Sequence, residues 1–150
     1  MIELLRGPWA MHERSLRAVL EAADRRLDGE LDLSGVRESG PDALSTAAGE
    51  RVQGARHTTV RDGVAVVPVV GPLFRRSGLL SRLVGGTSLE RLASDFSAAV
   101  ESSRVEAVLL DVDSPGGTVN GVSEASDLIY GARVELPVVA FVSGAAASGA

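Results

Sequence analysis

The stretch VEAVLLDVDSPGGTVNG, residues 105–121, decides the fold. Its opening, VEAVLLDVD, is a short run of Val and Leu that stops at turn-forming residues. Such a run reads as a strand buried on both faces. SPGG then reads as a tight turn. A helix is expected over roughly 119–133, with Val122, Ala125, Leu128 and Ile129 inward. The same pattern recurs on either side. VAVVPVV, residues 64–70, is a second buried strand, in which Pro68 signals an edge or a bend. Pro137 opens a third, PVVAFVS, and the small residues GAAASGA that follow are compatible with a helix start.

Between the first two strands, residues 71–86 read as a loop. Thr87 and Glu90 have the spacing of a capping box. They would open a helix that carries Leu89, Leu92, Phe96 and Val100 on one face. Strands alternating with helices predict an α/β fold with parallel strands joined by right-handed crossovers. Only three strong strands are present, and the helix begun at Ala145 does not finish, so the core reads as incomplete at its C-terminal end and the chain as the N-terminal part of a longer protein.

Upstream of residue 59 the sequence changes character. Residues 9–27 read as an amphipathic helix with Met11, Leu16, Val19, Leu20, Ala23 and Leu27 on its apolar side, and Pro8 at its start. Residues 28–58 are polar and rich in Gly, Ser, Asp and Glu, as in a linker or mobile arm, with a short helix at 41–48. The expected organisation is therefore a helix and flexible arm over 1–58, followed by the α/β core over 59–150.

Composition narrows the function. The 150 residues carry a formal net charge of −5, no cysteine and five aromatic residues, Trp9, Phe74, Phe96, Tyr130 and Phe141. Without cysteine there are no disulfides or thiolate metal sites. No basic stripe suggests nucleic acid: Arg75, Arg76 and Arg82 form a small cluster that reads as solvated loop. No run approaches the roughly 20 apolar residues of a membrane helix, and the start lacks a signal-peptide core. The expectation is a soluble protein of the cytoplasm. All fifteen basic residues are arginine.

In open α/β sheets, ligands bind beyond the carboxyl ends of the strands. Both unusual loops lie there. In SPGG, Pro115 fixes one dihedral, and Gly116 and Gly117 let another backbone approach; free N–H groups at such a turn can hold a developing oxyanion. A plain strand-to-helix turn has the same composition. In AAASGA, Ser148 is either a helix N-cap or packing residue, or a nucleophile at a helix start, with the Gly149 N–H beside it. Asp111 and Asp113 point to one side of their strand. Two carboxylates without a third ligand are weak for a metal, and hydrogen bonding to turn N–H groups is favoured. Glu124 and Asp127 read as solvent-facing.

Taken together, VAVVPVVGPL, VLLDVDSPGGTVNGVSEASDLIY and PVVAFVSGAAASGA resemble, in order and spacing, the S49 peptidases, the signal-peptide-peptidase-A-like serine proteases of the ClpP/crotonase fold. PWAM followed by a helix further resembles their phage-encoded branch, which matures proheads and capsids. The resemblance implies a ClpP/crotonase-like parallel sheet with crossover helices and a role for each motif residue. Ser148 would be the nucleophile. Gly117, with Gly116, and the Gly149 N–H would form the oxyanion hole. Thr118 and Val119 would be the edge that pairs with substrate backbone. It implies a protein or peptide substrate, no cofactor, a bacterial or phage-infected host cell, and a homo-oligomer of the full-length protein.

A serine hydroxyl needs a base to take its proton. The S49 base is a lysine well downstream of the serine, and this chain has none. His12 and His57 precede the core and read as surface residues. The chain alone is therefore expected to lack turnover. Two other readings stay open: a catalytically inactive assembly or scaffolding module, and a crotonase-like acyl-CoA enzyme, which would not need Ser148.

Overall fold

A computed structural model describes residues 8–28, 49–78, 81 and 84–150. The expected helix at 41–48, Leu27 as an inward residue and Arg82 lie outside what it describes. The order of elements is β1 (Trp9–Met11), α1 (Glu13–Asp28), β2 (Glu50–Arg51), β3 (Thr59–Arg61), β4 (Val64–Val70), β5 (Leu73–Phe74), β6 (Thr87–Ser88), α2 (Leu89–Val100), β7 (Ala107–Ser114), β8 (Gly116–Thr118), α3 (Val122–Ala132) and β9 (Val138–Ala146). The fold is mixed α/β with two mixed sheets.

The three strands legible in the sequence, β4, β7 and β9, are parallel neighbours. The larger sheet runs β2-β3-β4-β7-β9, and β2 and β3 join it antiparallel. Pro68 is not on an edge strand. β3 pairs with β4 only as far as Val66, so beyond that point β4 pairs with β7 alone. The missing N–H of Pro68 therefore costs no antiparallel ladder bond. β7 is not buried on both faces: Val108, Leu110, Val112 and Ser114 are inward, while Asp113 is exposed. β9 is exposed along most of its length, including Val139, Phe141 and Val142.

The main core lies between this sheet and helices α2 and α3. Val67, Val69, Leu92, Phe96, Val108, Leu110 and Ala125 belong to it, and Phe96 is fully buried. Aliphatic residues fill it because the chain has few aromatics. Val100 and Ile129 pack against it in part, but Leu128, expected inward, is exposed. Glu124 and Asp127 are exposed as expected. Hydrogen bonds from its own backbone N–H and from Ser123 hold the Glu124 carboxyl below the usual range. The part of the polar stretch that is described, 49–58, supplies β2 and buries Val52 and Ala55 in the core. The buried Asp95 on α2 holds it there, accepting the backbone N–H groups of Arg56 (2.9 Å) and His57 (2.7 Å).

The smaller sheet runs β1-β8-β5-β6 and is built from stretches expected to be loop, turn or helix. Residues 9–11 are a strand, and the amphipathic helix begins at Glu13. Ser15 and Leu16 donate to the His12 carbonyl, which places the helix start after Pro8, not at it. Val19 and Ala23 of α1 bury against Phe74, with Trp9, Met11 and Val84 alongside.

The capping box does not form. Ser88 is the N-cap of α2 and makes no side-chain cap. Thr87 instead accepts the Val70 N–H (2.9 Å) and donates to the Val70 carbonyl (2.8 Å), and Glu90 pairs with Arg76 (2.6 Å). Tertiary partners outbid the local cap because both main-chain groups of Val70 sit where the larger sheet ends. Thr87→Val keeps the shape but removes the hydroxyl, so it should cost about 1–3 kcal/mol. Urea denaturation checks this, with Thr87→Ser expected to retain most of the stability.

Candidate active site

β7 ends at Ser114, and everything around Ser148 is organised from that end. The Ser114 hydroxyl donates to the Gly71 carbonyl (2.7 Å) and accepts the Gly116 N–H (3.2 Å). The Gly71 N–H donates to the Asp113 carbonyl (2.8 Å). SPGG is thus not a turn running into a helix. The chain bends at Pro115, and Gly116, Gly117 and Thr118 form β8 in the smaller sheet.

The β7–β9 ladder breaks at the same place. Val112 pairs with Val142, and the next pair is Ser114 with Ala146. Residues 143–145 of β9 therefore bulge opposite Asp113. The Asp113 carboxylate fills the bulge: its Oδ1 accepts the Ala145 N–H at 2.9 Å. It lies so close over Gly144 that a Cβ there would collide with it. Asp113 thus bonds to the main chain of β9, not to the N–H groups of the SPGG turn as expected, because the bulge brings the Ala145 N–H to it. Asp111 makes no such bond, and its Oδ1 is buried without a partner. Among the described residues, no group of three or more His, Cys, Asp or Glu could hold a metal.

Past the bulge, the Ala147 N–H donates to the Ser114 carbonyl (3.1 Å), which turns the chain over the end of β7. Ser148 follows with φ 58°, a left-handed conformation uncommon for a residue with a side chain. Such a conformation costs on the order of 1–3 kcal/mol. The helix expected from Ala145 does not begin there: β9 runs to Ala146, and residues 148–149 are a turn, closed by the Ala150 N–H on the Ala147 carbonyl (3.2 Å). The hydroxyl is on an exposed residue.

Gly116 is the expected site residue brought nearest to Ser148. Its φ is 91°, and a Cβ built on it would lie 3.0 Å from the Ser148 Cβ and 2.8 Å from the Ala147 carbonyl oxygen. A side chain there would occupy the space beside the serine. Gly117 faces the other way, with its Cα against the backbone of Leu73 in β5. Thr118 ends β8 and Val119 is exposed just beyond it. Gly149 adjoins Ser148 and lies near Ala10 and Val122. Loop and strand thus bring Ser148, Gly149 and Gly116 together, as the two motifs suggest. The histidines stand elsewhere in the chain order: His12 is exposed between β1 and α1, and His57 is half-buried beside α2.

Sequence reading missed Ala10. Its carbonyl oxygen abuts Gly116, and its Cβ is 3.7 Å from where a Gly149 Cβ would be. Nothing local marks it, because residues 9–11 fit the start of an amphipathic helix equally well. A cavity of about 180 Å³ lies away from this cluster, lined by Arg75, Leu89, Glu90, Ala93, Gly121, Glu124 and Ala125.

The bulge predicts an energetic coupling. Gly144→Ala should destabilise by about 1–3 kcal/mol, because the methyl group meets the Asp113 carboxylate. In the Asp113→Ala background the same change should cost less, with a coupling of about 0.5–3 kcal/mol in a double-mutant cycle measured by denaturation.

No family model matches the chain. It is 38% identical over 96 residues to the head-tail preconnector protein GP5 of Enterobacteria phage P21, which covers 64% of this chain and 19% of that protein. It is 35% identical over 89 residues to the capsid assembly protease C of Escherichia phage lambda, covering 59% of this chain and 20% of that protein. The chain thus spans about a fifth of the length of these relatives, and its similarity is to proteins of phage head assembly, one of them named as a protease.

Proposed function

We propose that these residues carry the nucleophile and oxyanion-binding half of a serine endopeptidase of the S49 type and ClpP/crotonase-like fold, acting on protein substrates during phage head assembly. The observation that carries the reading is the approach of Ser148 to Gly116, made by two loops remote in sequence at the ends of adjacent parallel strands. The similarity to a capsid assembly protease supplies the reaction class. The similarity to a preconnector supports the setting.

The mechanism is acyl transfer. The Ser148 Oγ bonds to the scissile carbonyl carbon, and its proton passes to a base. The carbonyl electrons move to oxygen, where the Gly149 N–H, and the Gly117 N–H once β1 has left it, stabilise the charge. Gly116, its own N–H given to the Ser114 hydroxyl, leaves the space beside the serine open. Collapse expels the amine, which takes up a proton, and water then releases the acyl group from Ser148. Thr118 and Val119 pair with the substrate backbone. The S49 resemblance makes the base a lysine, and none occurs in residues 1–150. The enzyme would work in the infected host cell as an oligomer. No described helix is long and apolar enough to cross a membrane.

An assembly role without catalysis is the second reading, favoured by the preconnector name of one relative. Expressing the protein from its own coding frame with its phage's head proteins separates the two. Gel electrophoresis and mass spectrometry should show head-protein cleavage that Ser148→Ala lowers by at least 10³-fold with stability unchanged. Cleavage that survives Ser148→Ala would overturn the nucleophile assignment. Head assembly without any Ser148-dependent cleavage would leave the assembly role.

A further inference from the structure

β8 has two edges. One pairs with β5 through Gly117 and Leu73. The other is the edge beside Ser148, and the chain's own β1 lies on it, antiparallel. Trp9 pairs with Thr118, Ala10 with Gly117 and Met11 with Gly116. The Val119 N–H donates to the Pro8 carbonyl at 3.0 Å. Hydrogen-bonded pairs alternate along an antiparallel ladder, so Ala10 and Gly117 are the next bonded pair. The Ala10 carbonyl oxygen abuts Gly116 and lies 3.6 Å from where a Gly149 Cβ would be. An acyl carbonyl about to be attacked by Ser148 would need this same space.

Side chains alternate across a strand. Trp9 packs edge-on against Phe74, with ring centroids 6.0 Å apart at 88°, and Met11 packs into the same cluster with Val19 and Ala23 of α1. Ala10 points the other way, toward Gly149 and Val122. A side chain much larger than methyl would meet that turn. The aromatic anchor and α1 hold β1 in place without any bond to Ser148.

We propose that residues 8–11 are a built-in copy of the peptide this site takes. Its ligand is an extended segment with an alanine-sized residue beside Ser148 and a large apolar residue just before it, seated on Phe74. This rests on the reading of Ser148 and β8 as a peptide site. Only one strand can occupy the β8 edge, so β1 must leave for another segment to enter.

Residues 1–150 have no cysteine, so a reversible lock can be introduced here, with any cysteine elsewhere in the full-length protein changed to serine. Trp9 and Thr118 are a directly opposed, non-hydrogen-bonded pair, the closer kind, within disulfide reach. The test uses the full-length protein carrying Ser148→Ala with Trp9→Cys and Thr118→Cys. The probe is a fluorescein-labelled peptide of residues 6–13, RGPWAMHE, read by anisotropy. The reduced protein should bind it at least tenfold more tightly than the oxidised one, and dithiothreitol should restore binding to the oxidised sample. The same peptide with phenylalanine for its alanine should bind at least tenfold more weakly. Equal binding by oxidised and reduced protein, or no binding by either, would overturn the proposal, as would equal affinity for the two peptides. None of these arms needs turnover, so a protein that passes them yet cleaves nothing refutes the protease reading and leaves the peptide site standing.

Discussion

The end of β7 is the constraint on which the rest of the structure depends. Three main-chain segments converge there, and each is held by a group from Asp113 or Ser114. The Asp113 carbonyl receives Gly71, its carboxylate receives Ala145, the Ser114 hydroxyl bridges Gly71 and Gly116, and the Ser114 carbonyl receives Ala147. Parallel pairing with β4 and β9 brings these segments to one end of the sheet. The hydrogen bonds then turn each of them. Without those bonds, β9 would continue in register past Val142 and carry Ser148 beyond Gly116.

The bulge and the approach of the two loops explain two of the glycines. Gly144 is required by the Asp113 carboxylate above it, and Gly116 by the approach of Ala147, Ser148 and Ala10. These close approaches replace side-chain packing with backbone contact. The result is a nucleophile candidate with a left-handed φ of 58° on an exposed turn, anchored on a buried strand end. The strain sits where the proposed chemistry needs a fixed serine.

The smaller sheet ties the N-terminal segment to the same place. Its strands are two or three residues long and could not stand alone. They persist because Trp9, Met11 and Phe74 pack beneath α1, and because Gly117 allows Leu73 to approach on one side and Ala10 on the other. An N-terminal stretch remote in sequence thereby lies across the candidate site, on the β8 edge.

By itself, the sequence determined the elements whose signal is local and strong. Val-rich runs mark β4, β7 and β9, the 3.6-residue period marks α1, α2 and α3, and the paired SPGG and AAAS motifs mark the two loops that meet. These are legible because burial on a face imposes a periodicity that the residues themselves carry. Only the tertiary structure decided what competing partners could claim. Thr87 gave up its cap for Val70, SPGG became a strand because β5 and β1 offered it edges, and residues 9–11 left the helix to fill one of them. Residues 145–146 stay in β9 and do not open a helix, because the Asp113 bulge and the Ser114 carbonyl hold the backbone against β7. In each case the deciding group lies far away in the chain, so no local pattern could report it.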